Sequence, residues 1–284
     1  MNILKVLFGN NTENSKEAEQ SEASKQFDIL KYDGVRALRT GQWKQAIDCF
    51  NYALGMREDP ECRDYLSQAL LHNDNIAEAR QQLEKLGTLA PDNAQVWIRM
   101  AQTDFALDDY DRMIEDCEKA LTLTGDNSDI YYYLGRAYMG KKETEKAIEM
   151  FGKSLAANEQ NISSRLTRAG IMLDEGKLDE ATADSKWLTE NAGEMEETVL
   201  LKARIEAAGG QTEQALSSYD RAVELNPFSP EALRERAALR KKVGDEAGAA
   251  DDLAALRELT PENHEEDIEQ KMNETYRNAN PYGF

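Results

Sequence analysis

From Phe27 onward the apolar positions of this chain fall into paired helical stripes. Small residues recur at Gly34, Ser67, Ala101, Gly135, Ala169, Ala203 and Ala237, with spacings of 33 once and 34 thereafter. A second ladder, Ala46, Ala79, Met113, Ala147, Ala181, Ala215 and Ala249, follows twelve residues behind it. Trp97, Tyr131 and Leu233 precede the first ladder by four, and Phe50, Leu83, Phe151, Tyr219 and Leu253 follow the second by four. This spacing predicts two short amphipathic helices per repeat, with small residues where two helix axes must come close. Between the ladders stand Gly41, Asp74, Asp108, Lys142, Gly176, Gly210 and Gly244. Glycine or aspartate suits a chain leaving a helix through a left-handed conformation. Lys142 is the exception, with Gly140 two residues earlier. Pro91, Pro227 and Pro261 close second helices, since proline cannot continue one.

The register divides the chain into 27–59, 60–93, 94–127, 128–161, 162–195, 196–229 and 230–263. Residues 1–26 read as a short apolar segment (Ile3, Leu4, Val6, Leu7, Phe8) followed by a polar run with nothing to bury, expected to be a flexible linker. From His264 the phase continues, but Lys271 takes the small residue's place. Ile268, Met272 and Tyr276 form one narrow stripe, which suits a capping helix over the last repeat, followed by an NPYGF tail.

The clearest copy spans 128–161, where Tyr131, Leu134, Gly135, Tyr138, Ala147 and Phe151 stand in order. It resembles the tetratricopeptide-repeat family, whose signature places an aromatic, a Leu-Gly pair and a tyrosine on the first helix, and an alanine and a phenylalanine on the second. The closing proline is replaced by Glu159. The resemblance implies an all-α fold: a right-handed α-solenoid of seven tandem helix-turn-helix hairpins plus the C-terminal capping helix. Some repeats depart from it. Arg168, Lys202 and Arg236 stand at the family's leucine position, and Asp104, Glu206 and Arg240 at its tyrosine. Long stems at such places are expected to snorkel, with their charged heads in water.

A net charge of −20 argues against nucleic acid as a partner, because counterion release needs a basic surface. Three cysteines without paired spacing suit free thiols in a reducing compartment, and no run approaches the ~20 apolar residues of a membrane span. The expected location is cytoplasmic, without membrane contact; self-association is compatible with the pattern. His72 and His264 are far apart and lack neighbours at metal-ligand spacing. The run Gly135 to Lys142 fails as a phosphate loop, because Lys142 stands where a hydroxyl is required and the segment is helical. No catalytic, metal or cofactor site is expected, and the chain is read as non-enzymatic.

Charge is distributed unevenly within the repeats. The first fourteen residues of the seven repeats together carry a net +3, and the remaining parts −19. In the family resembled, first helices line a concave groove, so the resemblance implies a neutral-to-basic groove inside an acidic shell. The family's groove positions fall on Lys31, Tyr65, Gln68, Arg99, Gln102, Tyr132, Arg136 and Arg204. Some members clamp the terminal carboxylate of chaperone tails. Lys31 and Arg99 fit that clamp, but Val35 and Tyr65 replace its asparagines and Gln95 its lysine. The leading expectation is a scaffold that holds a peptide or partner segment, acidic or C-terminal, in the groove. The alternative is an assembly or membrane-peripheral adaptor that works through Met1–Phe8 and the NPYGF tail.

Overall fold

The computed structural model describes the backbone of residues 3–259 and the side chains of 19–259. The described residues form fourteen α-helices and no strand, in two compact units, the first running to Lys141 and the second beginning at Lys142. The first unit holds α1 (Ile3–Arg39), α2 (Trp43–Met56), α3 (Pro60–His72), α4 (Ile76–Leu89), α5 (Ala94–Ala106), α6 (Tyr110–Thr124) and α7 (Ser128–Gly140). The second holds α8 (Thr144–Ala157), α9 (Ile162–Asp174), α10 (Leu178–Asn191), α11 (Glu196–Ala208), α12 (Thr212–Leu225), α13 (Pro230–Lys242) and α14 (Glu246–Leu259). Within each unit, sequential helices pack as antiparallel neighbours, and some first helices also touch the first helix of the next repeat.

Local chemistry places the helix ends. Asp59, Asn93, Asp109, Asn127, Asn161 and Ser229 each accept a backbone N–H of the helix that follows, satisfying donors the first turn cannot pair. All seven expected turn residues adopt positive φ, from 55° at Asp108 to 84° at Gly244. Lys142 does so itself at 60°, so the turn does not shift back to Gly140. The second ladder is buried throughout, and Phe50, Leu83, Phe151 and Tyr219 fill the space beside it. Burying each such side chain contributes about 1.5–3 kcal/mol. Gly34 shows why the first ladder is small: a Cβ there would lie 2.7 Å from the Phe50 ring.

The amino-terminal run differs from expectation. The polar stretch read as a linker is helical, because α1 begins at Ile3 and continues unbroken through Arg39. Residues 10–26 contain neither proline nor glycine and are rich in Glu, Ala, Lys and Ser. Extending a helix already nucleated by the packed Phe27–Arg39 segment requires no second nucleation, so exposed residues 19–26 join it. The expected capping helix and the NPYGF tail lie outside the described residues.

The charged residues inside the repeats also differ from expectation. Arg168 Nε and Nη2 donate to Asp184 at 2.8 and 2.7 Å, and Arg236 Nε donates to Asp252 at 3.1 Å with Nη2 on the other oxygen at 2.5 Å. These heads do not reach for water, because an aspartate on the second helix of the same repeat meets each one. Arg240 joins Asp252 and Asp220. Asp104 is fully buried and accepts from Arg80 Nε at 2.6 Å, while Arg80 Nη2 donates to Asp116 at 2.9 Å. Lys202 alone follows the snorkelling expectation: its head stays partly exposed, 3.7 Å from Glu206.

Candidate functional site

In the first unit, the first helices α1, α3, α5 and α7 line up through side chains at the positions picked out from the sequence. Lys31 Nζ pairs with Asp59 at 3.1 Å and Glu61 at 2.6 Å, joining α1 to α3 and its N-cap. Tyr65 Oη donates to Glu61 at 3.1 Å and its ring stacks on Phe50. Gln68 Nε2 donates to Asp64 at 3.0 Å, and Arg99 of α5 pairs with the same carboxylate. Gln102 Nε2 donates to the Tyr133 hydroxyl on α7 at 2.6 Å. Arg136 of α7 returns to α5, its guanidinium 3.8 Å from the Phe105 ring centre and 5.9 Å from that of Tyr132. Seven of the eight candidates therefore belong to one continuous face. Arg204 lies in the second unit and pairs there with Glu235 and Glu231 of α13.

The electrostatics of this face differ from a simple reading of its basic residues. Burial works to lower the Lys31 pKa, but hydrogen bonds to Glu61 and Asp59 outweigh it and leave it raised. Arg204 behaves alike: burial opposes its charge, and Glu235 and Glu231 more than restore it. Lys31, Arg99 and Arg204 are thus held by carboxylates of this chain. Arg136 is not: among the described residues it meets aromatic rings and has no ion pair. Arginine over an aromatic face keeps its in-plane N–H donors available at the edge.

Four further residues of the face were not picked out from the sequence. Asp64, Glu61, Tyr133 and Phe105 supply the partners that orient the candidates. Tyr133 shares the repeat position of Tyr65 and Arg99, so the register itself was a usable signal for it. The acidic partners had none, because an exposed carboxylate on a helix looks the same whether or not an arginine of the next repeat reaches it. Among the described residues no group of His, Cys, Asp and Glu could hold a metal ion, and no helix is long and apolar enough to cross a membrane.

Comparison with known proteins agrees with this architecture. Models described as tetratricopeptide repeat match residues 60–103, 94–127, 128–161 and 200–264, together more than half of the chain. The chain belongs to the tetratricopeptide-repeat family. Among solved structures, a tetratricopeptide repeat protein from Parabacteroides merdae is similar at a TM-score of 0.70 and 15% identity, over 89% of this chain and 99% of that one. YrrB, described as a TPR protein with an unusual peptide-binding site, is similar at a TM-score of 0.53 and 18% identity, over 67% of this chain and 97% of that one. A DnaJ homolog subfamily C member 7 homolog from Dictyostelium discoideum is 24% identical over 165 residues, 55% of this chain; the match spans only 30% of that relative's length. The fold is one that supports a protein-interaction scaffold.

Proposed function

We propose that this protein is a non-enzymatic scaffold that holds an extended peptide segment of a protein partner along the α1–α3–α5–α7 face, with Arg136 receiving a carboxylate of that segment. The observation that carries this reading is the contrast among the basic residues. Lys31, Arg99 and Arg204 already have carboxylate partners, and Arg136 rests on Phe105 beside Tyr132 without one. A peptide carboxylate, from an acidic side chain or the chain end, would complete it with a forked pair of hydrogen bonds. Exposed Gln102, with both a donor and an acceptor, is placed to contact a peptide backbone nearby.

An array of acidic peptides, each with a free and an amidated carboxyl terminus, tests this. The expected result is binding that weakens at least tenfold in Arg136→Ala and changes little in Arg204→Ala. Preference for the free terminus would assign the chain-end carboxylate, and indifference to it the acidic side chain. Binding that is equal in wild type and Arg136→Ala would remove the site.

A further inference from the structure

One junction in the second unit is built unlike the others. Four residues after the second-ladder position, the other second helices of this unit carry Phe151, Tyr219 and Leu253, where α10 carries Ser185. On the facing helix, Lys202 and Glu206 of α11 occupy positions held elsewhere by Leu134 and Tyr138. The result is a groove of about 320 Å3 lined by Thr182, Ser185, Thr189, Lys202, Ile205 and Glu206, among others. It lies against the side of α11 opposite Arg204, as 100° per residue places 202, 206 and 209 far from 204, and none of its lining residues belongs to α1, α3, α5 or α7.

The groove carries two lysines, Lys186 and Lys202, and two glutamates, Glu190 and Glu206; exposed Lys186 and Glu190 stand 3.9 Å apart, and at the Glu206 end the polar atoms are biased toward accepting. The Thr182 hydroxyl donates its proton to the Leu178 carbonyl at 2.7 Å, and that of Thr189 to the Ser185 carbonyl at 2.9 Å, so both present lone pairs only. Glu206 Oε2 accepts from Ser218 at 2.6 Å, whereas Oε1 has only Lys202 Nζ, at 3.7 Å and beyond hydrogen-bonding distance. Ser185 is 5% exposed, and its hydroxyl makes no hydrogen bond within the protein. Its oxygen keeps access to the groove's solvent, where a ligand donor can reach it. The Glu206 side chain lies deep, at 14% exposure, and the Lys202 side chain sits at the rim, at 43%. An anion would face the carboxylate and two sets of lone pairs; a cation rich in N–H donors would satisfy them.

We infer that the α10–α11 groove is a binding site for an alkylguanidinium or alkylammonium head, with Glu206 as its counter-ion and Ser185, Thr182 and Thr189 as hydrogen-bonding partners. The protein's net charge of −20 favours the approach of such a cation. Lys202 competes with the ligand for Glu206.

The test is titration of the full-length protein with agmatine, with a blocked arginine-containing pentapeptide and with N-acetylglutamate amide, followed by amide chemical shifts and calorimetry. Saturable binding of a basic probe is expected, with shifts centred on α10 and α11 and no response to the acid. Glu206→Gln should weaken it about tenfold or more, and Lys202→Met should tighten it, a gain that a merely disrupted fold cannot produce. Ser185→Phe, which restores the bulky residue, should abolish it. Binding of the pentapeptide assigns the site to a partner's side chain; binding of agmatine alone assigns a free small cation. Absence of shifts from either basic probe, an equal response to the acid probe, or unchanged affinity in Glu206→Gln would overturn the proposal.

Discussion

Arg168 and Asp184 are joined by two hydrogen bonds, of 2.8 and 2.7 Å, across the hairpin of α9 and α10. Sixteen residues separate them, and the same separation joins Arg236 to Asp252 across α13 and α14. At the matching place in α11, Lys202 has Ser218 sixteen residues on and turns outward instead. An arginine replaces the leucine in the hairpin interior only where the facing helix supplies the carboxylate. Asp184 also accepts from Arg165 at 3.0 Å. Asp184→Ala would therefore leave two guanidinium groups in a largely buried setting, and should lower the unfolding free energy by about 3 kcal/mol. Urea denaturation measures this; a loss below about 1 kcal/mol would show that the pair is dispensable.

Two helical glycines should respond in opposite ways to alanine. At Gly34 the added Cβ meets the Phe50 ring at 2.7 Å, so Gly34→Ala should destabilise by about 1–3 kcal/mol. Gly170, inside α9, has nothing within 4 Å of the same atom, so Gly170→Ala should stabilise by roughly 0.5–1 kcal/mol. The shift of each urea midpoint, with its sign, is the check.

The Arg80 cluster makes stability depend on pH. Burial is the largest influence on Asp116 and raises its pKa; the Asp104 hydrogen bond adds to this, and Arg80 opposes it. The other charged neighbours are Glu84, 3.1 Å from Arg80, and Glu115. With its folded pKa raised to about 7, Asp116 binds a proton more readily in the folded than in the unfolded chain. Its contribution is therefore full below about pH 4 and falls as pH rises toward 7. The melting temperature of wild type relative to Asp116→Asn should drop by several degrees between pH 5 and pH 8. A difference that is flat or rises with pH would contradict the assignment.

Thiol reactivity should rank by burial. Burial pushes the Cys62 thiol up to about 12 and that of Cys117 higher still, whereas Cys49 is only half-buried and more modestly raised. At pH 8 a disulfide reagent should modify Cys49 first, and Cys62 and Cys117 only as the fold opens. Mass spectrometry of the labelled peptides separates the three.

The periodicity of Gly34 to Ala237 and of Ala46 to Ala249 was enough to place the hairpins and their turns, because packing within a repeat is local and each copy obeys the same register. At Lys142 the register marked the turn position while the residue type pointed to Gly140, and the fold followed the register. The seven candidates on α1, α3, α5 and α7 came from the groove positions of the family that the repeats resemble, carried over residue by residue in that register. What it could not supply was the pairing across helices. Whether Arg99 is held by Asp64, Arg168 by Asp184, or Arg136 by rings alone depends on which side chains two different helices bring within about 3 Å. The helical state of residues 10–26 was equally hidden, because a polar run has no stripe to reveal it and takes its conformation from the packed helix that it continues. The groove beside Ser185 arises in the same way: a serine in the sequence is only a small polar residue, and becomes a site once the fold sets it against Glu206.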